Sequence, residues 1–306
     1  MKWVRVICVF VVCVFALIGA FGLVLTDSFS SAVRSAPRQS PGGPRQSSDR
    51  TRRPTPVVLA VKTNPIPQTS EELYLDLLKK TLTRAQVAPS GDPMCYMEPV
   101  HMTNGRVEDA ETMIGTKQLD NIQFCVTDVL RRKVPGDLIE AGVWRGGVTV
   151  FMAAILKAYG DKDRCVWAAD SFEGLPNPDS QKDSPIFRQG EMAVSLEEVK
   201  ENFTRYGLLD SRVRFLKGLF CNTLPGARIE KLSVLRADAD LYESTRDVLK
   251  NLYPKLSVGG YAIFDDYSIH PAVRSAIDEY RRAHNITEKI ERIDSQAVYW
   301  QKQKSL

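Results

Sequence analysis

Apolar and polar positions divide this chain into three regimes. Val6 to Leu25 is continuously apolar, preceded by Lys2 and Arg5 and followed by Thr26 and Asp27. The stretch after it, to about position 69, is rich in Ser, Pro, Arg and Gly. From Ser70 onward apolar residues recur with regular spacing. About 20 apolar residues span a bilayer as a helix, so 1–25 is expected to be a transmembrane signal anchor. A cleaved signal has a shorter apolar core; it stays open as the alternative, with secretion as its consequence, because Gly19, Ala20 and Gly22 offer small residues. Lys2 and Arg5 favour a cytoplasmic N-terminus, against the weaker pull of Arg34, Arg38 and Arg45 on the far side. The expected topology is a single pass, N-in, with a lumenal or extracytoplasmic body. Residues 26–69 are expected to form a disordered stalk, since so few apolar groups cannot repay the entropy of ordering.

The third regime, 70–306, reads as one catalytic domain. Leu73, Leu75, Leu77, Leu78 and Leu82 predict an apolar helix face after a Ser70 cap. Met113, Leu119, Ile122, Cys125, Val126, Val129 and Leu130 predict one or two further helices within 108–132, so 70–135 is expected to form a helical cap. From Gly136 short apolar runs alternate with helical stretches. Strands are expected at 138–141, 165–170, 213–217, 233–237 and 261–265, with helices between them, and 289–293 and 297–301 as a closing antiparallel hairpin. Strands alternating with helices imply a parallel sheet covered on both faces. The fold class is therefore α/β, Rossmann-like over 136–306, with that hairpin at its C-terminal end.

Composition adds limits. The 306 residues carry a net charge of only +4, and much of the excess lies between Arg34 and Arg53. A basic stripe for nucleic acid is not expected on the body. Six cysteines show no CxxC pair and no zinc-ligand spacing. A Cys95–Cys221 disulfide is conceivable but not required. Asn202 and Asn285 begin N-x-S/T sequons that matter only if the body is lumenal. A homo-oligomer is left open.

In an open parallel sheet, ligands bind beyond the carboxyl ends of the strands. Those ends carry the chemistry here. The first is followed by Glu140, Gly142, Gly146 and Gly147, a glycine turn of the kind that cradles a nucleotide or cofactor. The second ends in Asp170 and Ser171, where an acid commonly holds a ribose diol. The absence of an arginine cluster for a pyrophosphate favours S-adenosylmethionine over NAD. The fourth and fifth end in Asp238 and Asp240 and in Asp265 and Asp266. So many carboxylates repel one another unless a cation joins them. Hard oxygen ligands suit Mg2+, with Asp238, Asp265 and Asp266 as its ligands. Asp240 is then the candidate general base, with His270 as a second base or substrate contact. Plain alternatives exist for each: glycines suit any tight turn, Asp238 and Asp240 could simply cap a helix, and Met113 could be a core methionine.

The segments DLIEAGVWRGG, ADSFEGLP, ENFTRYGLLD, VRFLKG, LRADADLYEST and GGYAIFDDY, in this order, closely resemble the macrocin O-methyltransferase family. The likeness runs from about Leu73 to Lys302 and includes LYLDLLKKTLTR and TMIGTKQLDNIQFCV. It implies a class I methyltransferase that uses S-adenosylmethionine and Mg2+ to methylate a sugar hydroxyl. The implied metal ligands are Asp238, Asp265 and Asp266, the implied base Asp240, and the implied cofactor contacts Met113, Glu140, Gly142 and the Asp170 region. Two departures stand out. RADAD has Ala239 where the family pattern has glycine, and the acceptor loop Pro176–Glu191 differs in length and sequence, which puts a macrolide acceptor in question. Two readings of another class also remain: a membrane-anchored glycosyltransferase using Asp238 and Asp240 as an Asp-x-Asp motif, and a non-catalytic binding protein of the same fold.

Overall fold

The computed structural model describes residues 69–84 and 110–305, all within one unit, Lys62–Leu306. A seven-stranded sheet carries the strands in the order β3-β2-β1-β4-β5-β7-β6. Here β1 is Asp137–Ala141, β2 Val166–Asp170, β3 Val213–Lys217, β4 Leu232–Ala237, β5 Leu256–Phe264, β6 Glu291–Arg292 and β7 Val298–Gln301. The first five are parallel; β7 runs antiparallel to β5 and β6. The Rossmann-like sheet and its closing hairpin thus follow the sequence rhythm. β1 and β4 are neighbours although far apart in sequence, so the strand order reverses between them. That reversal opens a crevice at their carboxyl ends.

Seven helices accompany these strands among the described residues: α1 Ser70–Leu82, α2 Thr116–Arg131, α3 Gly147–Ala158, α4 Leu196–Arg205, α5 Phe220–Thr223, α6 Tyr242–Leu252 and α7 Pro271–Ala283. Thr69, not Ser70, caps α1, in a reciprocal capping box with Glu72. Its leucines split between two faces. Leu75, Leu78 and Leu82 are buried, whereas Leu73 and Leu77 are exposed, because helical spacing cannot bring all five to one side. α2 buries Leu119, Ile122, Cys125, Val126 and Val129 as its periodicity predicts. α3 is apolar nearly all round and sits in the main core with α1 and α2. A second core lies across the sheet, where Val248 and Leu249 of α6 and Val273 and Ile277 of α7 pack with Trp300 of β7. α6 ends before a short 3-10 turn containing Pro254, so β5 starts earlier than expected.

The membrane expectation is corrected. No helix among the described residues is long and apolar enough to cross a membrane, since the longest has 16 residues and one polar face. Residues 1–25, on which the anchor rested, lie outside the described residues, as does the 26–69 stalk except Thr69. The transmembrane helix, the membrane as a partner and the single-pass N-in topology therefore lose their support, and the lumenal body and its secreted alternative rested on the same stretch. Asn202 is buried and its side chain donates to the Arg145 carbonyl at 2.9 Å, so it offers no accessible glycosylation amide. Cys221 is an exposed free thiol; Cys95 lies outside the described residues.

Candidate active site

β1 and β4 run in register, so Glu140 stands beside Arg236. Arg236 is 1% exposed. Its guanidinium donates to Glu140 Oε1 at 2.8 Å, to Asp238 Oδ2 at 3.1 Å and to Asp265 Oδ2 at 2.5 Å. The sequence reading did not single out this arginine. Its signal was a lone charge inside the apolar strand LSVLRA, beside strands that end in acids. Glu140 also accepts from the Thr149 hydroxyl. Asp265 also accepts from the Gln118 amide at 3.3 Å and from the Asp266 backbone N–H at 3.1 Å.

One guanidinium therefore stands among five carboxylates: Glu140, Asp238, Asp240, Asp265 and Asp266. Burial would push the Arg236 proton off, but Asp238, Asp265 and Glu140 outweigh it and keep the group charged. Burial pushes Glu140 up to about 8, against the pull of Arg236 and Thr149. Asp265 rises to about 7 through burial and the charge of Asp238. Asp266 rises to about 10 through burial and then Asp265, Asp238 and Asp240. Asp240 is likewise pushed well above the carboxylate range, by burial first and then by Asp238 and Asp265. Asp240 and Asp266 both adopt left-handed backbone, with φ of +57° and +58°. A non-glycine residue held there costs roughly 1–3 kcal/mol and marks a site where geometry is imposed. With His270 they present ligand atoms within 4.8 Å of one another. His270 Nε2 is 3.9 Å from Asp266 Oδ1, and burial lowers its pKa.

The β1–β2 side is built differently. Gly142 has φ +88°, and a Cβ there would fall 1.7 Å from the Asp238 carbonyl oxygen. The tightness follows from the Asp238 N–H, which donates to the Ala141 carbonyl at 2.8 Å. Asp170 accepts from the Val143 and Trp144 N–H groups at 2.8 and 3.4 Å, and from the Phe172 N–H at 2.8 Å. Its carboxylate thus ties the glycine turn to the end of β2. Ser171 donates to the Gly174 carbonyl at 2.6 Å. Gly146 and Gly147 open α3 and serve packing: a Cβ would meet Val199 at 2.8 Å in one case and the Glu111 carbonyl at 2.4 Å in the other.

Between the two sides lies a cavity of about 230 Å³. Met113, Gly142, Asp170 and Ser171 line one wall; Asp238 and Asp240 line the other. Met113 precedes α2 and reaches the cavity from outside the sheet. Glu140, Gly146, Gly147, Asp265, Asp266 and His270 are not on its lining. Glu140 lies behind the turn, turned to Arg236, where the sequence reading had it grip the cofactor. No Lys, Arg or His among the described residues lines the cavity.

Comparison with known proteins assigns the chain. The macrocin-O-methyltransferase (TylF) family model matches residues 101–302. A tetracenomycin-C 4'-O-methyltransferase of Streptomyces olivaceus, acting on the 8-demethyl-8-(2,3-dimethoxy-alpha-L-rhamnosyl) form, is 49% identical over 76% of this chain and 93% of its own length. Mycinamicin III 3''-O-methyltransferase of Micromonospora griseorubida is 46% identical over 77% of this chain and 98% of its own. The solved structure of the O-methyltransferase NovP superposes with a TM-score of 0.67 at 46% identity, covering 76% of this chain and all of that one. These relatives remove the glycosyltransferase and the non-catalytic readings. The chain belongs to the macrocin-O-methyltransferase family and is a class I, S-adenosylmethionine-dependent O-methyltransferase.

Proposed function

We propose that this enzyme methylates a hydroxyl on the sugar of a glycosylated small molecule, with a divalent cation, Mg2+, at the acidic strand ends. The relatives named for glycosylated acceptors support the acceptor class. One observation carries the chemistry: Asp240 lies on the cavity wall, held in left-handed backbone two residues beyond Asp238. Once ionised, a carboxylate whose proton affinity is raised by burial and by neighbouring acids accepts a proton from a substrate hydroxyl more readily than an ordinary aspartate does. The sulfonium methyl of S-adenosylmethionine is the electrophile. Its positive charge suits a cavity with acids and no basic side chain among the described residues. Met113, Gly142, Asp170 and Ser171 form the wall that would hold it, while Glu140, behind the turn, is tied through Arg236 to Asp238 and Asp265 on the acidic side.

The donor set also fits a hard divalent cation. Five carboxylates balanced by one guanidinium leave negative charge that protons or a metal must offset. Asp238, Asp265 and Asp266 would hold the ion, and the chemistry it supplies there is a lowered pKa for an acceptor hydroxyl. Asp266 also belongs to the rim group with Asp240 and His270. The two ligand sets make different demands on His270.

The test is methyl transfer from labelled S-adenosylmethionine to a panel of glycosides and their free aglycones, with Mg2+ or with a chelator. Transfer to glycosides alone, lost on chelation and restored by Mg2+, is the expected result. Full activity in the chelator would remove the metal. Asp266→Asn should abolish the Mg2+ response; His270→Ala should keep it if the strand-end trio binds the ion.

A further inference from the structure

The loop after β2 is closed on itself at its base. Leu175 N–H donates to the Glu191 carbonyl and Gly190 N–H to the Leu175 carbonyl, both at 2.9 Å. A closed surface loop of this length depends on its own side chains for its shape. Within it, Asp179 and Asp183 form a single turn: the Asp183 N–H donates to the Asp179 carbonyl at 2.8 Å, and the Asp183 carboxylate Oδ2 accepts from the Asp179 N–H at 2.8 Å. The other oxygen of the same carboxylate leaves the loop. Asp183 Oδ1 accepts from the Tyr242 backbone N–H at 2.8 Å. Asp183 is 9% exposed.

Tyr242 is the first residue of α6, and the preceding Leu241 provides no side-chain cap. The first N–H groups of a helix have no partner within it, and a carboxylate is the most favourable acceptor there. Asp183 thus caps α6 from a distant part of the chain. The capped residue follows Asp240 by two positions, and Asp240 is held in left-handed backbone. Lys182 adds a bond to Glu243 at 2.8 Å and lies 4.1 Å from the Tyr242 ring centroid. These partners are half-exposed, and exposed pairs contribute little. Phe187 of the loop meets the His270 ring at 5.0 Å.

We propose that Asp183 is a positioning residue that locks the cavity-side loop, Leu175–Glu191, to the turn carrying Asp240. One buried carboxylate shapes the loop with one oxygen and caps α6 with the other, so the acceptor wall and the base are set together. This rests on the reading of the loop as an acceptor wall and of Asp240 as the base.

Hydrogen–deuterium exchange on the full chain with bound S-adenosylhomocysteine tests the lock without an acceptor. In Asp183→Ala, peptides covering 176–190 and 240–246 should exchange at least tenfold faster. Peptides from β1 and α3 should be unchanged, and calorimetric S-adenosylhomocysteine affinity should stay within twofold. Asp183→Asn keeps one acceptor oxygen and should fall between Ala and wild type. Unchanged protection of both segments in Asp183→Ala would overturn the proposal, and so would loosening of 176–190 alone, because the loop would then be uncoupled from the Asp240 turn. If Asp183→Ala fails to fold, the intermediate exchange of Asp183→Asn decides in the same way. In turnover on the rhamnosyl-tetracenomycin named for the Streptomyces olivaceus relative, Asp183→Ala should raise the acceptor KM at least tenfold and leave the S-adenosylmethionine KM within twofold. A wild type inactive on this probe speaks to the acceptor class, and the exchange measurement still decides on Asp183.

Discussion

On the β1–β2 side of the cavity, Asp170 meets backbone N–H donors with both oxygens, whereas Arg236 alone pairs with three carboxylates, Glu140, Asp238 and Asp265, and Asp240 and Asp266 crowd in beside them. The first arrangement is at rest without a ligand, because its charge is spent on fixing the glycine turn. The second is not. Burial and neighbouring acids raise the proton affinity of Glu140, Asp240, Asp265 and Asp266, and Asp240 and Asp266 sit on left-handed backbone. Burying like charges costs free energy that only a proton, a cation or a reacting group relieves. The wall proposed to receive the cofactor is therefore preformed, and the wall proposed to meet the acceptor is kept in an unrelieved state.

The sharpest way to break this contrast is Asp240→Asn. It removes the proton acceptor without changing the size of the side chain. A positioned general base contributes about 10²–10⁴ in rate, so kcat should fall by about that factor while S-adenosylhomocysteine affinity, measured by calorimetry, stays within twofold. A variant with wild-type kcat would mean that the excess charge has no part in proton transfer. Next comes Arg236→Met, which leaves buried Glu140 and Asp265 and half-buried Asp238 without their shared cation. Removing one partner of a buried ion pair costs roughly 3–5 kcal/mol, and urea denaturation should show a loss of that size. On the other wall, Asp170→Ala frees the Val143, Trp144 and Phe172 N–H groups. Hydrogen bonds to a charged acceptor are each worth about 1.5–3 kcal/mol, so the turn should loosen. S-Adenosylmethionine affinity should drop about tenfold, with a smaller change in kcat at saturation. A larger loss in kcat than in affinity would show that the two walls are not separate in function.

The preformed wall was the more legible one in the sequence. Glycines at sharp turns and an acid at a strand end are local features, and Gly142 and Asp170 line the cavity as the strand rhythm led one to expect. The alternation of strands and helices also carried the fold class, because periodicity is a local property. What could not be read was which strands become neighbours. Glu140 looked like a cofactor contact because it precedes the turn. Only the pairing of β1 with β4 reveals that its side chain meets Arg236. Arg236 itself passed unnoticed for the same reason, since its meaning lies in three acids from two other strand ends and its own. The split of the α1 leucines and the early start of β5 are smaller misses, one from helical phase and one from the proline that stops α6.

Glu140 offers the finest test of the contrast, because it lies on the preformed side yet shares the crowded arginine. Burial raises it to about 8 although Arg236 and Thr149 both pull it down. Arg236 cannot compensate Glu140, Asp238 and Asp265 together, and Glu140, more deeply buried than Asp265, keeps its proton to a higher pH than Asp265 does. The consequence for stability has a definite sign. An unfolded glutamate releases its proton near pH ~4.3, while the folded one holds it up to about 8. Between these values the folded state binds more protons, so this residue's contribution is full at the acid end and is lost as pH rises through the window. Urea denaturation without divalent cation should therefore give a stability that declines from pH 5 to pH 8, and Glu140→Gln should make that decline shallower, the remainder belonging to Asp240, Asp265 and Asp266. Parallel curves for the two proteins would mean that Glu140 is ionised throughout and that Arg236 serves it first. In that case the shortage of positive charge would fall entirely on Asp240, Asp265 and Asp266, which would strengthen the demand for a cation at the acceptor wall.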